Sequence, residues 1–155
     1  MKQFYKIIGA NGQTDPNFKF EIGHMDLRNI PNVDGTYVTD IKHIFAYINY
    51  GPFLCYIQAD ENNIVYDSVS AGLSQEIPGW KIYEFEVGMI KEWRNISVIM
   101  ELIEAGADPT IENFVLLRNL YANDPTTLNF IKSSWERILS LDYNRRYHIL
   151  IRYLL

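Results

Sequence analysis

Residues 80–106 read Trp80-Lys81-Ile82-Tyr83-Glu84-Phe85-Glu86-Val87, then Gly88-Met89-Ile90-Lys91-Glu92-Trp93-Arg94, then Asn95-Ile96-Ser97-Val98-Ile99-Met100-Glu101-Leu102-Ile103-Glu104-Ala105-Gly106. In the first part Tyr83, Phe85 and Val87 fall on one side and Glu84 and Glu86 on the other, the two-residue period of a strand with one buried face. The last part repeats differently. Ile96, Ile99, Leu102 and Ile103 make a stripe at helical spacing that closes on Gly106. A change of period near residue 95 divides the chain into two expected units, an α+β module over 1–94 and an all-α segment over 95–155.

Toward the N-terminus, Phe4-Tyr5-Lys6-Ile7-Ile8 has strand character and ends at Gly9-Ala10-Asn11-Gly12, where Asn-Gly signals a turn. Phe18, Phe20 and Ile22 alternate with Lys19 and Glu21, which predicts a second strand paired antiparallel with the first. Residues 23–35 have loop composition and lead to a short extended Thr36-Tyr37-Val38. Thr39 then stands where an N-cap belongs, followed by Ile41, Ile44, Phe45 and Ile48 at helical spacing and a stop at Gly51-Pro52. Phe53–Gln58 and Ile64–Tyr66 read as strands about the polar turn 59–63, with a Ser- and Gly-containing loop over 67–79. The module is therefore expected to be a small mixed sheet with one main helix.

Toward the C-terminus the spacing predicts three more helices. Phe114, Leu117 and Leu120 mark one over 112–121. Asp124-Pro125 supplies an N-cap and N1 proline for the next, carrying Leu128, Ile131, Trp135 and Ile138. Asp142 caps a last one over 143–155, which ends in apolar Ile149-Leu150-Ile151 and Tyr153-Leu154-Leu155. Consecutive amphipathic helices with short turns form a helical array.

Composition bounds the function. The chain has 155 residues, 48% hydrophobic and 14% aromatic, with eleven Tyr and eight Phe, far from a disordered profile. Its net charge of −5 arises from 8 Lys/Arg against 12 Asp/Glu in residues 1–94 and 6 against 7 in 95–155, so neither half is basic and phosphate-backbone binding is disfavoured. Arg145, Arg146 and Arg152 make too small a cluster, beside Asp142 and Glu136, to change that. No nucleic-acid partner is expected. No stretch approaches the ~18 apolar residues of a membrane span, and the N-terminus lacks an apolar leader, so a cytoplasmic protein is expected with no membrane partner.

Catalytic and cofactor patterns are missing. The single cysteine, Cys55, lies in the apolar run Phe53-Leu54-Cys55-Tyr56-Ile57, which excludes an intrachain disulfide and reads as core. His24, His43 and His148 have no metal-ligand spacing, and the glycines make no phosphate-binding loop. Ser68, Ser70 and Ser74 lack a nucleophile-elbow context. Glu84 and Glu86 share a strand face and Asp60 adjoins Glu61, but solvated polar faces account for both pairs. His24 near Asp26 is the one pair that acid–base chemistry would use. Neither a metal nor a cofactor is expected.

The segment Val98-Ile99-Met100-Glu101-Leu102-Ile103-Glu104-Ala105-Gly106-Ala107-Asp108-Pro109-Thr110 resembles the end of an ankyrin repeat, whose second helix closes on a Gly-Ala-Asp turn. Ile111-Glu112-Asn113-Phe114-Val115-Leu116-Leu117-Arg118 occupies the place of the next first helix, without the family's usual Thr-Pro-Leu-His. Upstream, Gly35-Thr36-Tyr37-Val38-Thr39-Asp40-Ile41-Lys42-His43-Ile44 leading to Tyr50-Gly51 is similar to the N-terminal module of ankyrin-rich proteins of giant DNA viruses. The resemblance implies an ankyrin-like C-terminal segment that binds proteins, and a viral adaptor in the cytoplasm of an infected cell directed at a host protein. Such units stand alone only from ~3 repeats upward, so about one and a half repeats must dock on the first module or pack against a partner.

The expected function is a non-enzymatic protein–protein interaction adaptor without cofactor. The resemblance places its contacts on the Asp34–Thr39 loop and the 112–125 hairpin, at Tyr37, Thr39, Glu112, Asn113, Arg118, Tyr121 and Asn123. Two rivals stand beside it. One is a small-ligand-binding or enzymatic domain using a cleft near His24, Tyr37 and Glu84. The other is a self-assembling structural protein that forms a homodimer through the apolar C-terminal helix.

Overall fold

The computed structural model describes residues 1–10, 12, 17–70, 76–107, 119–129 and 132–133. Seven strands run in chain order: β1 Lys2–Ile8, β2 Gly23–Asp26, β3 Thr36–Val38, β4 Phe53–Ala59, β5 Ile64–Ser70, β6 Glu76–Ile82 and β7 Glu84–Glu92. One α-helix follows, α1 Ile96–Glu104, and three 3-10 segments cover Leu27–Asn29, Ile41–Tyr50 and Glu61–Asn63.

The alternating stretch around residue 83 is the spine. Tyr83 alone separates β6 from β7, and the partners follow one another along both. On one flank Gly23↔Val87 through Asp26↔Glu84 of β2 give way to Thr36↔Ile82 through Val38↔Trp80 of β3. On the other, Ile57↔Val87 and Gln58↔Glu86 of β4 give way to Ile64↔Ile82 through Ser70↔Glu76 of β5. The result is a four-stranded sheet in the order β1-β4-β7-β2 and a three-stranded sheet in the order β3-β6-β5, with every pair antiparallel. A bridge between Tyr5 and Thr39 joins the far edges, β1 to the end of β3.

Strand alternation then sorts the side chains. Phe4 and Ile8 of β1, Cys55 and Ile57 of β4, Phe85 and Val87 of β7, Val38 of β3 and Ile82 of β6 meet in one buried cluster with Phe20 and Leu27. The opposite face of the four-stranded sheet, through Ile7 and Leu54, meets Ile44, Phe45 and Ile48 of the 3-10 helix and Val98, Ile99, Leu102 and Ile103 of α1, with Trp93 fully buried among them. Each such side chain contributes about 1.5–3 kcal/mol by leaving water. Ile57 lies opposite Val87 while Tyr56 lies opposite Met89, so Gly88 is the extra residue of a β-bulge. That insertion returns Ile90 to the face used by Val87.

These findings correct the expected α+β class, in which a small mixed sheet with one main helix precedes an all-α ankyrin-like segment. The described residues are mostly β, in two antiparallel sheets, and carry no ankyrin-like helical array. In place of the expected hairpin of residues 4–8 with 18–22, β1 pairs with β4; Phe18 and Phe20 are buried outside the strands, and Ile22 is exposed. The 67–79 stretch belongs largely to β5 and β6. Alternation of two is diagnostic of a strand face but does not say which strand is its neighbour.

The main helix is wound as a 3-10 segment. Its N-cap is Asp40, not Thr39: the Asp40 carboxylate accepts from the His43 amide at 3.0 Å and meets His43 Nδ1 at 2.6 Å. Thr39 is held in the bridge to Tyr5. Winding at three residues per turn stacks side chains i and i+3 in one row, and so brings Tyr47 beside Tyr50, with ring centroids 6.0 Å apart. In α1 the Asn95 side chain accepts from the Ser97 amide at 2.9 Å. Farther on, Asp124 caps helical backbone at 125–129 through a bond from the Thr127 amide at 3.1 Å. The helices expected over 112–121 and 143–155 lie mostly or wholly outside the described residues.

Gly51 is where the chain leaves the 3-10 helix and passes against β1. A Cβ there would lie 2.1 Å from the Ile8 carbonyl oxygen, and the Gly51 carbonyl itself accepts from Trp93 Nε1 at 2.6 Å. Gly51→Ala should therefore cost about 2 kcal/mol or more in urea unfolding. Gly88→Ala meets just Tyr56 O at 4.0 Å and should leave stability unchanged or raise it by up to about 1 kcal/mol.

Candidate binding cleft

The bridge that joins the two sheets is one residue pair long. Tyr5 N–H donates to Thr39 O at 2.8 Å and Thr39 N–H to Tyr5 O at 3.0 Å. In an antiparallel pair, residues bonded in this way alternate with residues whose main chain faces the other way. Tyr5 thus turns its main chain toward β3, as Ile7 does two residues on, while Phe4, Lys6 and Ile8 turn theirs toward β4. Past Thr39, however, β1 and β3 no longer pair with each other. The gap is spanned instead by a side chain: Lys6 Nζ donates to Tyr37 O at 2.7 Å.

A cavity of about 420 Å³ occupies this seam, within the ~300–1,000 Å³ of ordinary ligand pockets. Its walls come from Tyr5, Lys6 and Ile7 of β1, from the 34–39 segment, and from Tyr47 and Tyr50 of the 3-10 helix, with Phe18 beside them. Four of the eleven tyrosines line it. Tyr37 and Tyr50, 42% and 57% exposed, stand at the rim. Burial raises the Tyr5 phenol, with Glu101 adding to it, and pushes Tyr47 up to about 12, with Tyr50 and Asp40 nearby. Both phenols stay protonated at neutral pH and can donate hydrogen bonds. Asp34 is held below the usual carboxylate range by Lys81, at 2.5 Å, and the Tyr83 hydroxyl, at 2.9 Å.

Ile7 is 3% exposed and turns its main chain away from β4, as Tyr5 does. The seam thus has apolar and aromatic walls, with Lys6 and Asp34 as charged groups in its lining.

All six residues of the Asp34–Thr39 segment line the cavity. Tyr37 is at its rim, whereas Thr39, 2% exposed, presents its main chain to Tyr5. Tyr121 is half-buried and its hydroxyl donates to Arg94 O, and Asn123 is exposed; neither lines the cleft. Glu112, Asn113 and Arg118 lie outside the described residues. Lys6 is the lining residue whose role the sequence reading passed over, although a lysine between Phe4 and Ile8 on the apolar face of a strand marks it.

His24 and Glu84 do come together, apart from Tyr37. His24 Nε2 meets Glu84 Oε1 at 2.9 Å on the surface of β2 and β7, and Arg28 donates to Glu84 at 2.9 Å and to Asp26 at 2.8 and 2.5 Å. None of these four lines the cleft. Cys55 is buried and its thiol is pushed up to about 12, which leaves it unreactive at neutral pH. Among the described residues no three His, Cys, Asp or Glu are grouped to hold a metal ion, and no helix is long and apolar enough to cross a membrane. No family model, curated protein or solved structure matches the chain.

Hydrogen bonds from Arg28 hold the Asp26 carboxyl down to about 2. The folded chain thus binds fewer protons than the unfolded one between about 2 and the ordinary carboxylate value near 3.8. Stability rises with pH across that window and is lost as pH falls through it. Carboxyl-carbon NMR should show Asp26 titrating near 2, and Arg28→Gln should return it toward the ordinary value.

Proposed function

We propose that the chain is a non-catalytic binding module that recognises a protein partner through the cleft between β1 and β3. The observation that carries this reading is the tyrosine-lined seam itself. Tyrosine offers a large, stiff contact surface with a polar tip, and it is enriched where proteins meet. Two of its rings stand exposed at the rim. Enclosed apolar walls with a few polar groups are the ordinary setting of a binding site.

The enzymatic rival needs His24, Tyr37 and Glu84 in one cleft. Tyr37 lines the cavity and the other two belong to an exposed ion-pair network, so these three do not share one substrate space. The self-assembly rival rests on residues 143–155, outside the described part.

Photo-crosslinking tests the proposal. A benzoylphenylalanine in place of Tyr50 should capture protein from the native lysate, whereas the same group in place of exposed Glu104 on α1 should not. Unlabelled wild-type chain should compete, and the Tyr37→Ala/Tyr50→Ala double variant should compete at least tenfold less well while unfolding at the same urea concentration. Equal capture from both positions, or equal competition by the double variant, defeats the assignment.

A further inference from the structure

We infer that the partner segment taken by the seam is proline-rich, with pyrrolidine rings seated against Tyr37, Tyr47 and Tyr50 and its backbone in a polyproline helix. This rests on the binding reading above and adds to it the chemical class of the ligand.

Ring placement is the first ground. The 3-10 winding sets Tyr47 and Tyr50 next to each other in one row, with centroids 6.0 Å apart and planes inclined at 42°, so the two rings form a single aromatic wall. Tyr37 lines the same cavity from the 34–39 segment, and Tyr37 and Tyr50 are exposed at its mouth. A small saturated ring resting on these faces buries apolar surface on both partners. The rings enter from the rim, and the chain that carries them stays outside the cavity. A polyproline helix loses little freedom on docking, because it is ordered before it binds, and aromatic-lined grooves are its general receptor.

The hydrogen-bond inventory is the second ground. Burial keeps the phenols of Tyr5 and Tyr47 protonated, and the Lys6 ammonium can only donate. Acceptors of the lining are already engaged: the Asp34 carboxylate by Lys81 and Tyr83, Tyr37 O by Lys6, and Thr39 O by the Tyr5 amide. An ordinary peptide, with as many N–H as C=O groups, would bring further donors to a wall rich in donors. Proline brings a carbonyl and no N–H, so it buries no donor that needs an acceptor there. Charge agrees with this. Lys6 and Asp34, the two charged groups of the lining, have opposite signs and are each tied within the protein, so the seam suits an uncharged guest.

The test uses the full chain and a phage-displayed library of random dodecapeptides. Selected peptides, resynthesised with capped ends, should be enriched in proline over the starting library and compete with crosslinking from position 50. Alanine in place of their prolines should weaken binding at least tenfold, whereas N-methylalanine, which also lacks an N–H, should recover part of that loss. The Tyr37→Ala/Tyr50→Ala double variant should bind the same peptides at least tenfold less tightly. Competing peptides without proline enrichment, or proline peptides that bind equally well with alanine or to the double variant, would overturn the proline assignment while the binding reading stands. Crosslinked protein without any selected peptide would do the same. Failure of both crosslinking and selection removes both.

Discussion

Two main-chain hydrogen bonds between Tyr5 and Thr39 set the relation between sheets that also share the continuous β6–β7 strand. The spine bends one set of partners away from the other at Tyr83, and the bridge brings their outer edges back together around the cluster of Phe4, Phe20, Leu27 and Phe85. Because the bridge is a single pair, the shell is stitched at one point and parts beyond it. The cleft is thus the consequence of where pairing stops. Its register is inherited from the Tyr5 bonds, and its depth from the 3-10 helix that carries Tyr47 and Tyr50 over it.

The outer face of the four-stranded sheet shows the same dependence. Ile7 and Leu54 are apolar on the side away from the inter-sheet core, so this sheet must be covered on both faces. The cover is divided between the 3-10 helix and α1, with Trp93 buried between them and anchored through its Nε1 bond to Gly51 O. Gly51 in turn sits against the Ile8 carbonyl. The end of β1 is therefore fixed from one side by the Gly51–Trp93 contact and from the other by β4, while its third direction opens into the seam.

Much of the local structure was legible, and little of the pairing. The alternation at Tyr83-Glu84-Phe85-Glu86-Val87 marks β7, and Ile99, Leu102 and Ile103 mark the buried stripe of α1, because burial imposes those periods directly. Nothing in the sequence says that β1 takes β4 as neighbour, since a period of two carries no partner identity. The 3.0 and 3.6 periods are also hard to separate over ten residues: Ile41, Ile44 and Ile48 fit an α-helix, while Ile44 with Tyr47 and Tyr50 fits the tighter winding that is found. Of the candidate site, Tyr37 was accessible to sequence reasoning through its place in a short extended segment. The cleft itself was not, because it depends on a bridge between Tyr5 and Thr39, 34 positions apart and in different sheets.

The treatment of strand edges distinguishes the seam from the rest of the surface. The β2 edge of the four-stranded sheet carries His24, Asp26 and Arg28, tied to Glu84 by ion pairs. Charge of this density makes an edge a poor template for another strand, because pairing would strip water from several ions at once. The seam is built the other way. Its aromatic rings bring no such desolvation cost, and its one lining carboxylate, Asp34, is held outward by Lys81 and Tyr83. Lys6 keeps β1 and β3 in reach of one another without pairing them. An edge guarded by charge and a seam lined with aromatic rings are thus opposite treatments of a strand edge, and Tyr37 and Tyr50 frame the second.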